Sequence, residues 1–201
     1  MDSLRDLGVE DGFSAHELSV RWDHGLAVAA LRYFDPAGPF AAEVGEVLGG
    51  PLPEPLRAYR RVLVTAGDGA SAAGASSAGA SSAGSELVLA WRGSTETLLV
   101  TADAGCLAAV DRFAAARSDG CLLDQTGGIL TLVVAGARAS DLLLRLGSTD
   151  AVPALGEART SRLAELSVMS LCTRPGEILL LVERVYVRHL FGWIRETVAD
   201  F

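Results

Sequence analysis

Five consecutive apolar residues, Ile178-Leu179-Leu180-Leu181-Val182, constrain this chain more than any other segment. The run has the length of a strand and leaves no polar face for water, so it has to be covered on both sides. The segment before it, Thr160–Cys172, reads as a partner strand across the Arg174-Pro175-Gly176 turn. After it comes Val185–Phe201, where Val187, Leu190, Phe191, Ile194, Val198 and Phe201 fall on one helical stripe.

The same order of strand, strand and helix recurs upstream. Leu87–Trp91 and Thr97–Val100 read as a hairpin around Arg92-Gly93-Ser94-Thr95. Asp103 is placed to cap a helix carrying Leu107, Val110 and Ala114. Cys121–Leu123 and Ile129–Val134 read as strands. The helix after them has Ala139, Leu142, Leu143 and Leu146 on one face and stops at Gly147. Nearer the start, Glu17–Trp22 and Leu26–Phe34 predict a hairpin across Asp23-His24-Gly25. Phe40, Val44, Val47 and Leu48 then predict a helix stopped by Gly49-Gly50-Pro51, with Pro51–Pro55 as an extended connector. Hairpins each followed by a helix predict an α+β fold, with mainly antiparallel sheets backed by helices.

Residues 66–85 break the pattern with repeats of Ala-Gly-Ala-Ser-Ser. Such a stretch buries nothing that offsets the entropy of ordering it. It is expected to be a linker or loop between an N-terminal lobe, 1–65, and a C-terminal lobe, 86–201. Gly67-Asp68-Gly69-Ala70-Ser71-Ala72 fits a G-x-G-x-x-A dinucleotide fingerprint in spelling only. That motif needs a helix behind it, and the recurring glycines here oppose one.

Composition narrows the function. The formal net charge is −8, the wrong sign for a chain that neutralises phosphates, so nucleic-acid binding is not expected. All 17 basic residues are arginine, which removes Schiff-base chemistry and the phosphate-loop lysine. No apolar run spans a membrane and the start carries no secretory signal, so a cytoplasmic protein is expected. Cys106, Cys121 and Cys172 form no C-x-x-C pair and read as small buried residues. His16, His24 and His189 form no ligand spacing, and no G-x-S-x-G is present. Asp124 reads as the cap of the Gly127-Gly128 turn, and Asp23-His24 as part of a turn. With no catalytic set in view, attention falls on large contact residues. Trp91, Arg184, Tyr186, His189 and Trp193 are the candidate partner-facing residues, because tryptophan, tyrosine and arginine anchor interfaces.

Several ordered segments carry a family resemblance. Phe40-Ala41-Ala42-Glu43-Val44-Gly45-Glu46-Val47-Leu48-Gly49 with Pro51-Leu52-Pro53 resembles a first helix and its proline exit. Leu89-Ala90-Trp91-Arg92-Gly93-Ser94-Thr95-Glu96-Thr97-Leu98-Leu99-Val100 is similar to a tryptophan, turn, "E-W-L-L-V" hairpin, with Thr97 where tryptophan is common. Asp124-Gln125-Thr126 resembles a "D-x-S" strand end. Val134-Ala135-Gly136-Ala137-Arg138-Ala139-Ser140-Asp141-Leu142-Leu143 resembles a "G-x-x-A-x-x-L-L" helix start. Arg159-Thr160 and Leu181-Val182-Glu183-Arg184 through Trp193 are similar to an "R-T" strand and an "L-V-x-R-S … Y-L-x-x-W" terminus, from which Val185-Tyr186 departs. In this order the segments resemble the gamma subunit of heterotetrameric sarcosine oxidase, a family built on the fold of the folate-binding aminomethyltransferases of glycine cleavage.

The resemblance implies a non-catalytic subunit of a flavoenzyme that oxidatively demethylates sarcosine or a related N-methyl amine. It implies no cofactor in this chain. FAD, FMN, NAD and tetrahydrofolate would be held by alpha, beta and delta-type partner subunits. Two other readings stand beside it: a standalone folate-binding aminomethyltransferase-like protein, and a regulatory scaffold module.

Overall fold

The structure is a computed structural model and describes residues 8–63 and 85–201. The elements run β1 (Gly12–Ala15), β2 (Leu18–Asp23), β3 (Ala27–Tyr33), α1 (Pro39–Val47), β4 (Ala58–Leu63), β5 (Ser85–Gly93), β6 (Glu96–Thr101) and α2 (Ala104–Ala115). They continue with β7 (Gly120–Asp124), β8 (Ile129–Gly136), α3 (Ala139–Leu146), β9 (Glu157–Leu163), β10 (Leu166–Arg174), β11 (Glu177–Glu183) and α4 (Val187–Ala199). The first sheet has the order β1-β2-β8-β11-β10-β9 and the second β4-β5-β6-β3-β7. Every pairing within them is antiparallel.

Alternation along the strands builds three cores and four layers. Val133, Leu179, Leu181, Met169 and Leu171 of the first sheet meet Val28, Ala30, Val88, Leu98 and Val100 of the second, face to face. The residues between them point the other way, as strand geometry requires. Leu132, Val134, Leu180 and Val182 therefore meet Leu142, Leu143, Leu190 and Ile194 of α3 and α4. Leu31, Leu87, Leu89 and Leu99 likewise meet Phe40 and Val44 of α1 and Val110 of α2. Ile178–Val182 is buried throughout, as its two apolar faces demand.

Local readings hold where turn or cap chemistry was explicit. Trp91 pairs with Thr97 in the β5–β6 hairpin. Asp103 caps α2 by accepting from the Gly105 N–H at 2.7 Å, and α3 ends at Gly147. On α1, Val47 leaves the expected stripe and is exposed.

The expected β2–β3 hairpin is replaced by a crossing between sheets. β2 alternates apolar and polar residues and pairs with β1 and β8, whereas β3 is apolar on both faces and pairs with β6 and β7. Asp23-His24-Gly25 carries the chain from one sheet to the other. In consequence the stretches 1–65 and 86–201, expected as two lobes, share both sheets. β2 lies between β1 and β8, and β3 between β6 and β7. The Gly67–Ala72 motif and all of the 66–85 stretch except Ser85 lie outside the described residues.

Thr160–Cys172, expected as one strand, is β9, a two-residue turn and β10. Ala164 and Glu165 have φ of 49° and 66°. His16 and Glu17, at 52° and 62°, join β1 to β2 in the same way. Such turns favour asparagine and glycine, so neither is spelled in the sequence. Tertiary contacts hold the first one. Ala164 N–H donates to the Leu146 carbonyl at 2.8 Å, and the His189 ring lies 3.2 Å from the Ala164 carbonyl oxygen.

Gly120, at the start of β7, lies directly against the buried Phe40 ring, and a Cβ there would overlap it. Gly120→Ala is expected to cost about 1–3 kcal/mol of stability, the usual result of overpacking a core. Phe40→Leu should cost less in the Gly120→Ala background than in the parent, because the two share one space. Denaturant unfolding of the four proteins checks both statements.

Candidate functional site

Four of the five candidate contact residues come together. Arg184 and Tyr186 belong to the 3-10 turn that leads into α4, and His189 and Trp193 follow on the helix. The Trp193 and His189 rings are 6.4 Å apart. Trp193 is 49% exposed, Tyr186 42% and Val185 78%, so this face carries apolar surface that the fold leaves uncovered. Arg188, Gly192 and Glu196 complete a shallow depression there. Arg184 donates its backbone N–H to the Gly128 carbonyl at 2.8 Å, which fixes the turn to the start of β8.

Trp91 is elsewhere. It lines a cleft of about 700 Å³ on the far side of the second sheet, between α1 and the Pro51–Pro55 connector. The cleft forms because Gly45 lets the connector approach α1, with Gly50 N–H donating to the Gly45 carbonyl at 2.8 Å. Arg61 ties down the same corner, donating to Leu48 O at 3.1 Å, to Gly50 O at 2.9 Å and to Pro51 O. Tyr33 forms part of the wall, its hydroxyl 3.1 Å from that of Thr97. Thr97 is itself fully buried, which accounts for the small polar residue at the position where the resemblance expects tryptophan.

No local signature marks the cleft, since α1 and Pro51–Pro55 spell only a helix and an extended connector. Among the described residues its lining is tyrosine, tryptophan, proline, leucine, alanine, glycine and serine, with Glu46 and Glu54 and no cationic side chain. The cofactors implied above carry phosphates or, for tetrahydrofolate, carboxylates. Two glutamates without a cation do not fit any of them.

A third feature joins the two sheets. Arg60 on β4 donates to Glu86 on β5 and to Thr173 on β10 at 3.0 Å, and lies 3.5 Å from Glu177 on β11. Arg174 donates to both oxygens of Glu86 at 2.7 and 2.8 Å. The adjoining cavity is about 120 Å³, below the several hundred cubic ångströms of an ordinary ligand site. Burial pushes the Glu86 carboxyl up, but Arg60 and Arg174 together outweigh it and hold it below its ordinary range.

Other candidates resolve into local structure. Asp124 accepts from the Thr126 N–H at 2.8 Å, in the turn role expected of it. Cys106 and Cys172 are buried, and burial pushes both thiols up, while Cys121 is exposed on β7. Among the described residues no group of three or more His, Cys, Asp or Glu is placed to hold a metal. None of their helices is long and apolar enough to cross a membrane.

The four-layer architecture is the α+β fold of the aminomethyltransferase type. No family model and no curated protein matches the sequence. Solved structures do match in fold. The chain is similar to a chain of the heterotetrameric sarcosine oxidase from Corynebacterium sp. U-96, solved with pyrrole 2-carboxylate. The identity is 18% and the TM-score 0.72, over 93% of this chain and 87% of that one. It is also similar to glycine cleavage system aminomethyltransferase T from Bartonella henselae, at 12% identity and a TM-score of 0.62. That likeness spans 89% of this chain but only 45% of the transferase. The fold implied by the resemblance is therefore the fold observed.

The Arg60–Glu86–Arg174 group sets a pH dependence. Glu86 has a lowered folded-state pKa, so its stabilisation is complete above the ordinary glutamate value of about 4.3. It is lost as the pH falls through the lower folded-state value. Solvent screening limits the contribution to about 1 kcal/mol or less. Glu86→Gln should flatten the acid limb of stability against pH and weaken its salt dependence. Urea unfolding from pH 3 to 7 is the check; a variant with an unchanged acid limb would contradict it.

Proposed function

We propose that this chain is a non-catalytic, gamma-type subunit of a multi-subunit, sarcosine oxidase-like flavoenzyme. The observation that carries this reading is the match in extent. The chain and a chain of heterotetrameric sarcosine oxidase cover each other almost end to end, 93% and 87%, whereas the transferase is more than twice as long as the part matched. The Trp91 cleft, whose described lining holds two carboxylates and no cation to meet an anionic cofactor, and the uncovered apolar surface on α4 support a role in assembly.

In this reading alpha, beta and delta-type subunits hold FAD, FMN, NAD and tetrahydrofolate and oxidise an N-methyl amine in the cytoplasm. This chain supplies no reacting group. Tyr186, His189 and Trp193, with Arg184 at the start of the turn, form one partner-facing surface, and Trp91 belongs to a second.

Affinity purification of the chain from its own host should bring down larger yellow subunits. The isolated chain should be colourless and give no heat with tetrahydrofolate in calorimetry. Binding of tetrahydrofolate by the chain alone would favour the standalone transferase-like reading, and partners without flavin would favour a scaffold. Within the complex, Trp193→Ala should weaken assembly by about 2 kcal/mol, as loss of a buried aromatic anchor does. That is roughly a thirtyfold rise in Kd, readable by titration of labelled chain. A complex of unchanged affinity would remove Trp193 from the interface.

A further inference from the structure

We propose that the cleft between α1 and Pro51–Pro55 seats an extended apolar segment of a partner protein that carries lysine or arginine beside its apolar side chains. The cleft is an open groove walled by Tyr33, Trp91 and the connector prolines. Two exposed apolar residues adjoin its walls in the chain. Phe34, between the lining residues Tyr33 and Pro36, is 80% exposed, the highest value among the large hydrophobic residues described. Leu56, which follows the lining residue Pro55, is also exposed. An open apolar groove with exposed apolar residues next to its walls suits a chain more than a small enclosed ligand.

Charge selects the partner. Glu46 and Glu54 line the cleft and are exposed. Among the described residues neither carboxylate has an ion pair or a hydrogen-bonded partner. Four arginines are committed to other groups. Arg32 and Arg92 both pair with Glu96 at 2.9 Å. Arg117 pairs with Glu43 and Asp119, and Arg61 binds main-chain carbonyls. A neutral segment would leave two carboxylates unmatched at the rim, and an acidic one would be repelled. The α4 depression offers no such choice, since Arg188 and Glu196 line it together. The proposal rests on the subunit reading only for who the partner is.

Site-specific photocrosslinking tests it in the full-length chain expressed in its own host. Benzoylphenylalanine replaces Phe34 in one version and Val185, on the α4 side, in another. Mass spectrometry then identifies the joined segments. The Phe34 position is expected to capture one partner segment of apolar residues with a lysine or arginine among them. Reversing the rim charges with Glu46→Arg and Glu54→Arg should cut that yield about tenfold and leave capture at Val185 unchanged. Both glutamates are exposed, and circular dichroism confirms that each variant is folded. Four results overturn the proposal: no protein captured at Phe34, a second copy of this chain, a segment lacking a basic residue, or a yield indifferent to charge reversal. A basic segment from a protein without flavin would uphold the cleft and remove the subunit reading. A co-purifying flavoprotein with nothing captured at Phe34 would do the opposite.

Discussion

The inter-sheet core is the constraint on which the rest of this structure depends. Ala30, Val88, Leu98 and Val100 on one sheet, with Val133, Met169, Leu179 and Leu181 on the other, commit the inner faces of both sheets to each other. Each sheet then has one apolar face left, and neither can be left in water. Burial at about 25 cal/mol per Å² of apolar surface brings α3 and α4 onto one side and α1 and α2 onto the other. Loss of the contact between the sheets would expose inner faces that no other element is placed to cover.

Surface features follow from this layering. A helix backing a sheet buries one stripe and shows the other. On α4 the hidden stripe is Val187, Leu190, Phe191, Ile194 and Val198, which leaves Trp193 on the outer side. On α1 the stripe is Phe40, Ala41, Val44 and Gly45, and the glycine lets the proline connector come close enough to make a cleft. Charge is organised by the same frame. Arg60, on the edge strand β4 of the second sheet, reaches the β10–β11 turn end of the first, and its contacts to Glu86, Thr173 and Glu177 span β4, β5, β10 and β11. Such a partly exposed network adds little to stability beside the apolar core. What it does add is a polar link between the two sheets beside their shared apolar core.

Sequence reading recovers whatever is written locally. The β5–β6 hairpin, the Asp103 cap, the Gly147 stop and the α4 stripe each rest on a few adjacent residues. Sheet membership does not. Asp23-His24-Gly25 spells a tight turn, yet β2 and β3 part company there, because β3 has to be covered on both faces and β2 on one. The β9–β10 turn escaped for a different reason. Ala164 and Glu165 adopt left-handed backbone that their side chains do not favour, and distant groups, the Leu146 carbonyl and the His189 ring, hold them. The same long-range dependence hid the cleft. Trp91 stands out by its type, but Glu46 and Glu54 join it along one cleft only after the second sheet has assembled.

His189 illustrates how closely structural and contact roles sit together on this fold. Its ring faces the Ala164 carbonyl and the Trp193 ring at once, so it braces a strained turn while flanking an exposed aromatic. The two exposed apolar surfaces occupy opposite outer layers, one on α4 beyond the first sheet and one on α1 beyond the second. A single flat partner face cannot reach both, with two sheets between them. Covering both therefore takes either two neighbours or one that wraps around the chain. A free-standing monomer would leave both in water. On the subunit reading proposed above, neighbours on the two outer layers would cover both.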